Sequence, residues 1–169
     1  RPYGVLGWTG ARVTNGPGAD LVVFENAFRT TWAADEWFMD PAVVEVSLDG
    51  TTWVAFPHDY LADDETTYSP HVEDWEGFAG VTPVLYDSDD GIDAFDPLAG
   101  GDAFDLDELA TEGAAGEVRR EGFRFVRITS AAILVNDDTG EVFPRERISN
   151  GADIDGIAAR WLVPDDAGM

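Results

Sequence analysis

Short apolar runs rich in Val, Ile, Phe and Trp alternate along this chain with clusters of Gly, Pro, Asn and Asp. That punctuation belongs to a protein made of strands and turns. Val5 to Thr9 reads as a strand, and Asn15-Gly16-Pro17-Gly18 as a turn. Leu21 to Glu25 (LVVFE) is a continuous apolar run ending in an acid, which suits a core strand. Val43 to Leu48 alternates instead, with Val44, Val46 and Leu48 on one face and Glu45 and Ser47 on the other. Asp49-Gly50 supplies a hairpin turn, and Thr52 to Phe56 returns from it. Phe123 to Thr129 (FRFVRIT) places Val126 and Ile128 on one face between Arg124 and Arg127. Ala131 to Val135 is a further apolar stretch in search of a pairing partner, and Ile154 to Val163 closes the chain as a last strand. The fold class expected from this pattern is all-β.

Between Pro57 and Gly116 the pattern loosens. About 60 residues with few strand signals is long for a connection inside one domain, and such loops are usually functional, ion-ordered or mobile. One or two short helical turns are expected at Asp105 to Ala110, with Asp102 or Asp105 as N-cap. The chain divides into a single domain over 1–164 and a frayed tail over 165–169. At 169 residues it can bury roughly 70% of its unfolded surface, enough for a core without covalent staples. No solenoid period appears; the one echo is Asn15-Gly-Pro-Gly-Ala-Asp20 against Asn150-Gly-Ala-Asp153.

Charge changes this picture more than composition does. The formal net charge is −24, yet from Thr30 to Val118 there are 23 carboxylates and no Lys or Arg, while the remainder holds 11 carboxylates and 10 Arg. So many like charges in one stretch repel each other unless counter-ions bind or the surface is well hydrated. Hard divalent cations, Ca²⁺ above all, take oxygen ligands from such side chains. A solvated acidic surface from a salt-tolerant organism explains the same excess without any specific site. Hydrophobic residues at 44% argue against disorder. There is no Cys, which removes disulfides, thiolate metal sites and thiol nucleophiles. No apolar run approaches the roughly 18 residues that span a bilayer, so no membrane insertion is expected. Nucleic acid is not an expected partner either, because no basic stripe exists to offset the repulsion. The chain starts at Arg1 without an initiator Met or signal peptide, which leads us to expect that an upstream piece was removed.

Three segments share one grammar, in which small residues deliver an Asp into an apolar strand. They are Gly18-Ala-Asp20-Leu21, Gly100-Gly-Asp102-Ala-Phe-Asp105-Leu-Asp107 and Gly151-Ala-Asp153-Ile-Asp155. Gly permits tight backbone, and Asp residues two apart on an extended chain point the same way. Each pair suits either one cation or an Asx turn that caps a strand start without metal; taken together, the three favour at least one bound Ca²⁺. Asp87 to Asp93 begins like an EF-hand loop, but Gly91 stands one place early and the terminal bidentate Glu is missing. His58 and His71 fit no zincin spacing, and the Ser residues occupy no nucleophile elbow. Among the aromatic residues, Tyr68 and Trp75 lie in the loose region and are the candidates for a sugar-stacking platform; the alternative is that they are core.

Val44-Glu-Val-Ser-Leu-Asp-Gly-Thr-Thr-Trp53 resembles the hairpin of discoidin-like, galactose-binding-like β-sandwich modules, and Phe125-Val-Arg-Ile128 resembles their late core strand. The order of motifs along nearly the whole chain is similar to that of a bacterial secreted or cell-surface protein family. The matching pieces are Asn15 to Phe28, Asp40 to Ser47, Phe56-Pro57, Ala79 to Pro83, Ala99 to Leu106, Phe125 to Ile128 and Asp153 to Ile157. The resemblance implies a jelly-roll β-sandwich, export and a cell-surface role; it does not imply catalysis, and modules of this type often carry a structural Ca²⁺ and bind glycans or surface ligands through loops at one end. Carried over residue by residue, its polar positions are Asp20, Glu25, Asn26, Asp102, Asp105, Asp153 and Asp155. Two departures stand out. Relatives carry a further segment upstream of Tyr3, and some place a Cys pair where His58 and Phe78 stand.

These observations lead to an expected secreted or cell-surface binding module, stabilised by Ca²⁺ through Asp20, Glu25, Asn26, Asp102, Asp105, Asp107, Asp153 and Asp155. Its expected partner is a glycan or surface polymer. A structural subunit that packs against neighbouring subunits in an extracellular filament, sheath or surface complex is the second reading. A glycan hydrolase using paired carboxylates ranks last, because close acid pairs are unavoidable in so acidic a chain.

Overall fold

A computed structural model describes residues 3–30, 35–87, 89, 91–149 and 151–165. The chain is β-rich and its main sheets are antiparallel. One sheet holds four strands in the order β1 (Tyr3–Gly7), β11 (Phe125–Ser130), β6 (Ala42–Ser47) and β7 (Val54–Ala55). The other holds β10 (Asp102–Phe104), β3 (Leu21–Glu25) and β12 (Ile154–Ala159). Three short pairs complete the order: β2 (Ala11–Val13) with β13 (Leu162–Pro164), β4 (Phe28–Arg29) with β5 (Trp37–Phe38), and β8 (Asp59–Tyr60) with β9 (Trp75–Glu76).

The alternation read in β6 sets the register of the first sheet. Val46 faces Val126 and Val44 faces Ile128 across β6 and β11, so the centre of one face is apolar. A slip of one residue would turn that face outward. On the other face Glu45 lies opposite Arg127, a cross-strand ion pair closed by two hydrogen bonds of 2.5 and 2.6 Å. The apolar face packs with Leu21 and Val23 of β3, Phe104 of β10, and Phe56, Leu106 and Phe123 in one buried cluster. Each such side chain contributes ~1.5–3 kcal/mol by leaving water.

The unbroken run in β3 has its explanation in a second covering layer. Leu21 and Val23 face the main core, while Val22 and Phe24 pack against Val84, Ile92, Phe95 and Ala99. The 57–81 stretch, loose by sequence, builds a third cluster. Val43, the β6 residue on the face away from the main core, packs there with Met39, Tyr60, Trp75, Phe78 and Phe143. Trp75 meets Tyr60 at 4.1 Å between ring centroids and Phe78 edge-on at 5.3 Å. The acidic stretch is therefore not an empty connection. It carries the aromatic side chains that cover the outer faces of both sheets, with its carboxylates turned mostly to solvent.

Several expected elements differ. The helical turn over 105–110 is a 3₁₀ turn at Leu106–Glu108, capped by the Asp105 side chain, whereas Asp102 lies inside β10. The helix α1 (Gly113–Glu121) was not expected; it has no side-chain N-cap and starts from two Gly and two Ala. It stops at Gly122, whose φ is +88° and where a Cβ would come within 2.0 Å of the Val13 carbonyl oxygen. Ala131 to Val135 opens as a 3₁₀ turn, with only Val135 bridging to Val142. The last strand is two strands in different sheets, broken at Trp161, which adopts φ +55°. Asp165 belongs to the fold rather than to a frayed tail, since it pairs with Arg124 at 2.5 Å and its N–H reaches the Gly10 carbonyl; residues 166–169 lie outside the described residues. Among the described residues no helix is long and apolar enough to cross a membrane.

Candidate acidic site

The eight acidic and amide positions singled out by sequence separate into two buried neighbourhoods and an outer remainder. The first centres on Asp20, wholly buried where the 15–18 turn enters β3. Its Oδ1 accepts the Gly16 N–H at 2.9 Å and its Oδ2 the Leu106 N–H at 2.8 Å. One side chain thus ties the turn, the strand start and the 3₁₀ turn together. Burial raises its pKa, opposed by those two N–H groups, and Asp105 and Asp107 add repulsion. Asp105 caps the Asp107 N–H at 2.8 Å, and Asp107 is exposed, bonded to Asn15 and paired with Arg119 at 2.8 Å. At these three positions the described oxygens serve caps and ion pairs.

The second neighbourhood lies at the other end of β3. Glu25 is 2% exposed. Its Oε1 accepts the Asp153 N–H at 3.2 Å, while its Oε2 is buried and has no hydrogen-bond partner among the described residues. Asp102 reaches in from β10, where its Oδ2 accepts N–H groups of Gly80, Val81 and Thr82 at 2.7, 3.1 and 3.4 Å. Asp40, just before β6, is buried and accepts the Ser149 hydroxyl. Gly80 sits between them: a Cβ there would come within 2.6 Å of the Asp40 carbonyl and 3.4 Å of Glu25 Cγ, at φ +83°.

Burial pushes the Glu25 carboxyl up to about 7, Asp40 and Asp102 add to it, and the N–H groups of Asp153 and Asn26 oppose it. Asp40 is raised by burial against its Ser149 bond, with Glu146 and Asp153 adding repulsion. Asp102 is raised by burial against the N–H groups and hydroxyl that hold it. Among the described residues no Arg ion pair reaches any of the three, although Glu45, Asp93 and Asp107 each have one and Asp165 has two. An ionised carboxylate buried without a counter-charge is costly, so such groups are paired, protonated or bound to a cation. Among the described residues no three acidic or His side chains converge closely enough to form a ligand set by themselves. Ca²⁺ also accepts main-chain carbonyls and water, so a cation here would draw on those as well.

Asn26, Asp153 and Asp155 are exposed; Asp153 contributes its N–H to Glu25, and Asp155 lies on the outer side of β12. Asp40 was not among the sequence candidates, although it opens the Asp40-Pro41 entry to β6. Nothing in its neighbours signals that β3, β6 and β10 bring it to Glu25. The aromatic platform expected at Tyr68 and Trp75 is not a surface. Trp75 is 1% exposed and donates its indole N–H to the Ser69 carbonyl at 3.0 Å. The Tyr68 hydroxyl accepts the Met39 N–H at 3.1 Å and donates to the Trp37 carbonyl at 3.2 Å. An aromatic that does reach solvent is Tyr86. It stacks on Phe24 at 5.6 Å beside a groove of about 520 Å³ that Asp155, Val84 and Ile157 also line.

No family model, curated protein or solved structure matches the chain.

Proposed function

We propose that this chain is an exported, Ca²⁺-stabilised binding or adhesion module of the cell surface, a jelly-roll β-sandwich of the galactose-binding-like type that recognises a glycan or surface polymer. The observation that carries the reading is Glu25, a buried carboxylate beside Asp40 and Asp102 with no basic partner among the described residues. Support for the sandwich comes from the single apolar cluster that the four-stranded and three-stranded sheets share. Support for sugar recognition comes from the outer groove, where an aromatic ring stands beside the Asp155 carboxylate; rings take the apolar face of a sugar and carboxylates its hydroxyls. Glycan arrays probed in calcium buffer test this reading. Binding that is lost with Tyr86→Ala, while the melting temperature stays put, supports it; binding indifferent to Tyr86 removes the groove as the site.

A structural subunit is the second reading, favoured by one edge. Among the described residues β1 pairs on one side only, with β11, and it exposes Val5 and Leu6 by nearly half. Unpaired edges accept strands from partners. Light scattering across a dilution series separates the two readings, since a monomer at all concentrations removes obligate self-assembly.

A further inference from the structure

We infer that the partner of the free β1 edge is a second copy of this chain, paired antiparallel with β1 across a two-fold axis at Val5, so that two four-stranded sheets become one. This rests on the structural-subunit reading above and names its partner. The main-chain parity of β1 leaves its odd residues free. The Trp8 N–H goes to the Arg124 carbonyl at 3.2 Å, and on the far side of β11 the Ala131 N–H goes to the Pro41 carbonyl at 2.8 Å. Main-chain groups of alternate residues point to opposite sides of a strand, so Gly4, Leu6 and Trp8 spend theirs on β11. Those of Tyr3, Val5 and Gly7 face outward, without a partner strand among the described residues.

Side chains agree with this axis. Leu6 lies opposite Val126 and Gly4 opposite Ile128, so both belong to the core-facing side of the sheet. Yet Leu6 is 45% exposed, and a Cβ at Gly4 would meet nothing within 4 Å. The apolar face is left open at this edge. Pairing centred on Val5 sets Val5 against Val5, Tyr3 against Gly7 and Leu6 against Gly4. Every outward main-chain group from Tyr3 to Gly7 then finds a mate, and each Leu6 fills the space beside the other copy's Gly4. Moving the axis by one residue sets Leu6 against Leu6 or Gly4 against Gly4 and loses part of the ladder.

Charge selects the same place. Residues 3–9 hold no charged side chain, whereas the outer strands β10 and β12 of the other sheet carry Asp102 and Asp155. Arg124 and Arg127, next to β1, are already neutralised by Asp165 and Glu45. Two chains of net charge −24 therefore meet little contact repulsion at this edge. Edges that stay single are guarded by charge, Pro or a bulge; β1 has none of these.

Sedimentation velocity of the full chain over a dilution series, at low and at raised salt, is the test, with melting curves to confirm that each variant folds. Val5→Pro removes an outward N–H that β11 does not use, and Leu6→Lys places a charge on the open face. Leu98→Lys, at a residue 70% exposed elsewhere, is the control. The expected result is a dimer for the natural chain and for Leu98→Lys, tightening with salt as repulsion between two acidic copies is screened. For Val5→Pro and Leu6→Lys the dissociation constant rises at least tenfold. The chain has no Cys, so Val5→Cys reports the register. Opposed Cα atoms of a hydrogen-bonded pair lie about 5.5 Å apart, within disulfide reach, so oxidation links two copies of Val5→Cys and leaves Leu98→Cys unlinked. Should Val5→Pro not fold, Leu6→Lys and the Val5→Cys cross-link decide. A dimer indifferent to the β1 variants, or one in which Val5→Cys does not cross-link, overturns this pairing and leaves the structural-subunit reading standing. A natural chain that is monomeric at every concentration and salt overturns both.

Discussion

Removing the Asp20 carboxylate separates capping from every other role an acid can have in this chain. Asp20 is completely buried and its two oxygens satisfy two main-chain donors, Gly16 and Leu106, that are 90 residues apart in sequence. Asp20→Ala leaves both N–H groups without partners. A buried donor left unsatisfied costs about 1–3 kcal/mol. Against that, the carboxylate itself is disfavoured by burial and by Asp105 and Asp107, as the direction of its pKa shows, so its removal returns part of the loss. The net expectation is a destabilisation of roughly 2–4 kcal/mol, or about 5–15 °C in melting temperature for a chain of this size. Asp20→Asn keeps one acceptor oxygen and turns an NH₂ toward the other donor, so its cost should be about half that of Ala.

The assay is thermal and urea unfolding of the three proteins, each with Ca²⁺ and with EDTA, together with amide hydrogen exchange. Capping predicts losses that are equal in the two buffers, and faster exchange confined first to Gly16 and Leu106. An Asp20→Ala protein within about 0.5 kcal/mol of the natural chain, the scatter of ordinary surface substitutions, would refute the capping argument. A loss seen only in Ca²⁺ would refute it differently, by making Asp20 a ligand.

Other outcomes follow from the same contacts. In EDTA, Glu25 titrates near 7 in the folded chain against 4.5 when unfolded, so the folded state binds the extra proton between those values. Stability from this group is therefore fully present below about pH 4.5 and lost as pH rises to 7, by about 3 kcal/mol. The difference between the natural chain and Glu25→Gln across pH 4.5–7.5, with Asp40, Asp102 and Asp153 present in both, isolates it; a flat difference contradicts the assignment. Arg127→Lys loses the two-point contact with Glu45 and the stacking of its guanidinium 4.4 Å over Trp53, and should cost about 1–2 kcal/mol in urea unfolding. Gly80→Ala meets a main-chain carbonyl at 2.6 Å in left-handed backbone, and should cost at least ~2 kcal/mol; a neutral result by the same assay would mean that the 79–82 segment moves freely around Asp102.

What the residues revealed depended on how local the cause was. The strands at 21–25, 42–47 and 125–130 were legible because their periodicity is imposed by a core on one or both faces. The Asp49-Gly50 turn was legible because Asp49 caps its own neighbours, Thr51 and Thr52, at 2.7 Å each. The 57–116 stretch looked empty because its order comes from aromatic residues scattered over Tyr60, Trp75, Phe78 and Phe143, which no short window contains. Helix α1 escaped because Gly113, Gly116 and the uncapped Glu112 are poor local signals; tertiary contact of Val118 with the main core holds it.

The same distinction governs the candidate site. Asp20 and Asp105 do their work on neighbouring backbone or on one distant amide, and the small-residue grammar pointed to them. Glu25 looked like the polar end of an apolar strand, and its significance appears only when β10 brings Asp102 and the entry to β6 brings Asp40 beside it. A sequence can mark an acid as unusual through its apolar neighbours, but whether that acid meets an Arg or another acid is decided by strands remote in the chain. The stretch from Thr30 to Val118 contains no Lys or Arg, so its acids depend on Arg residues from outside it: Arg127, Arg160 and Arg119 reach Glu45, Asp93 and Asp107, and among the described residues none reaches Glu25, Asp40 or Asp102. Whether a cation from solution takes the place of that missing partner is what chelation tests.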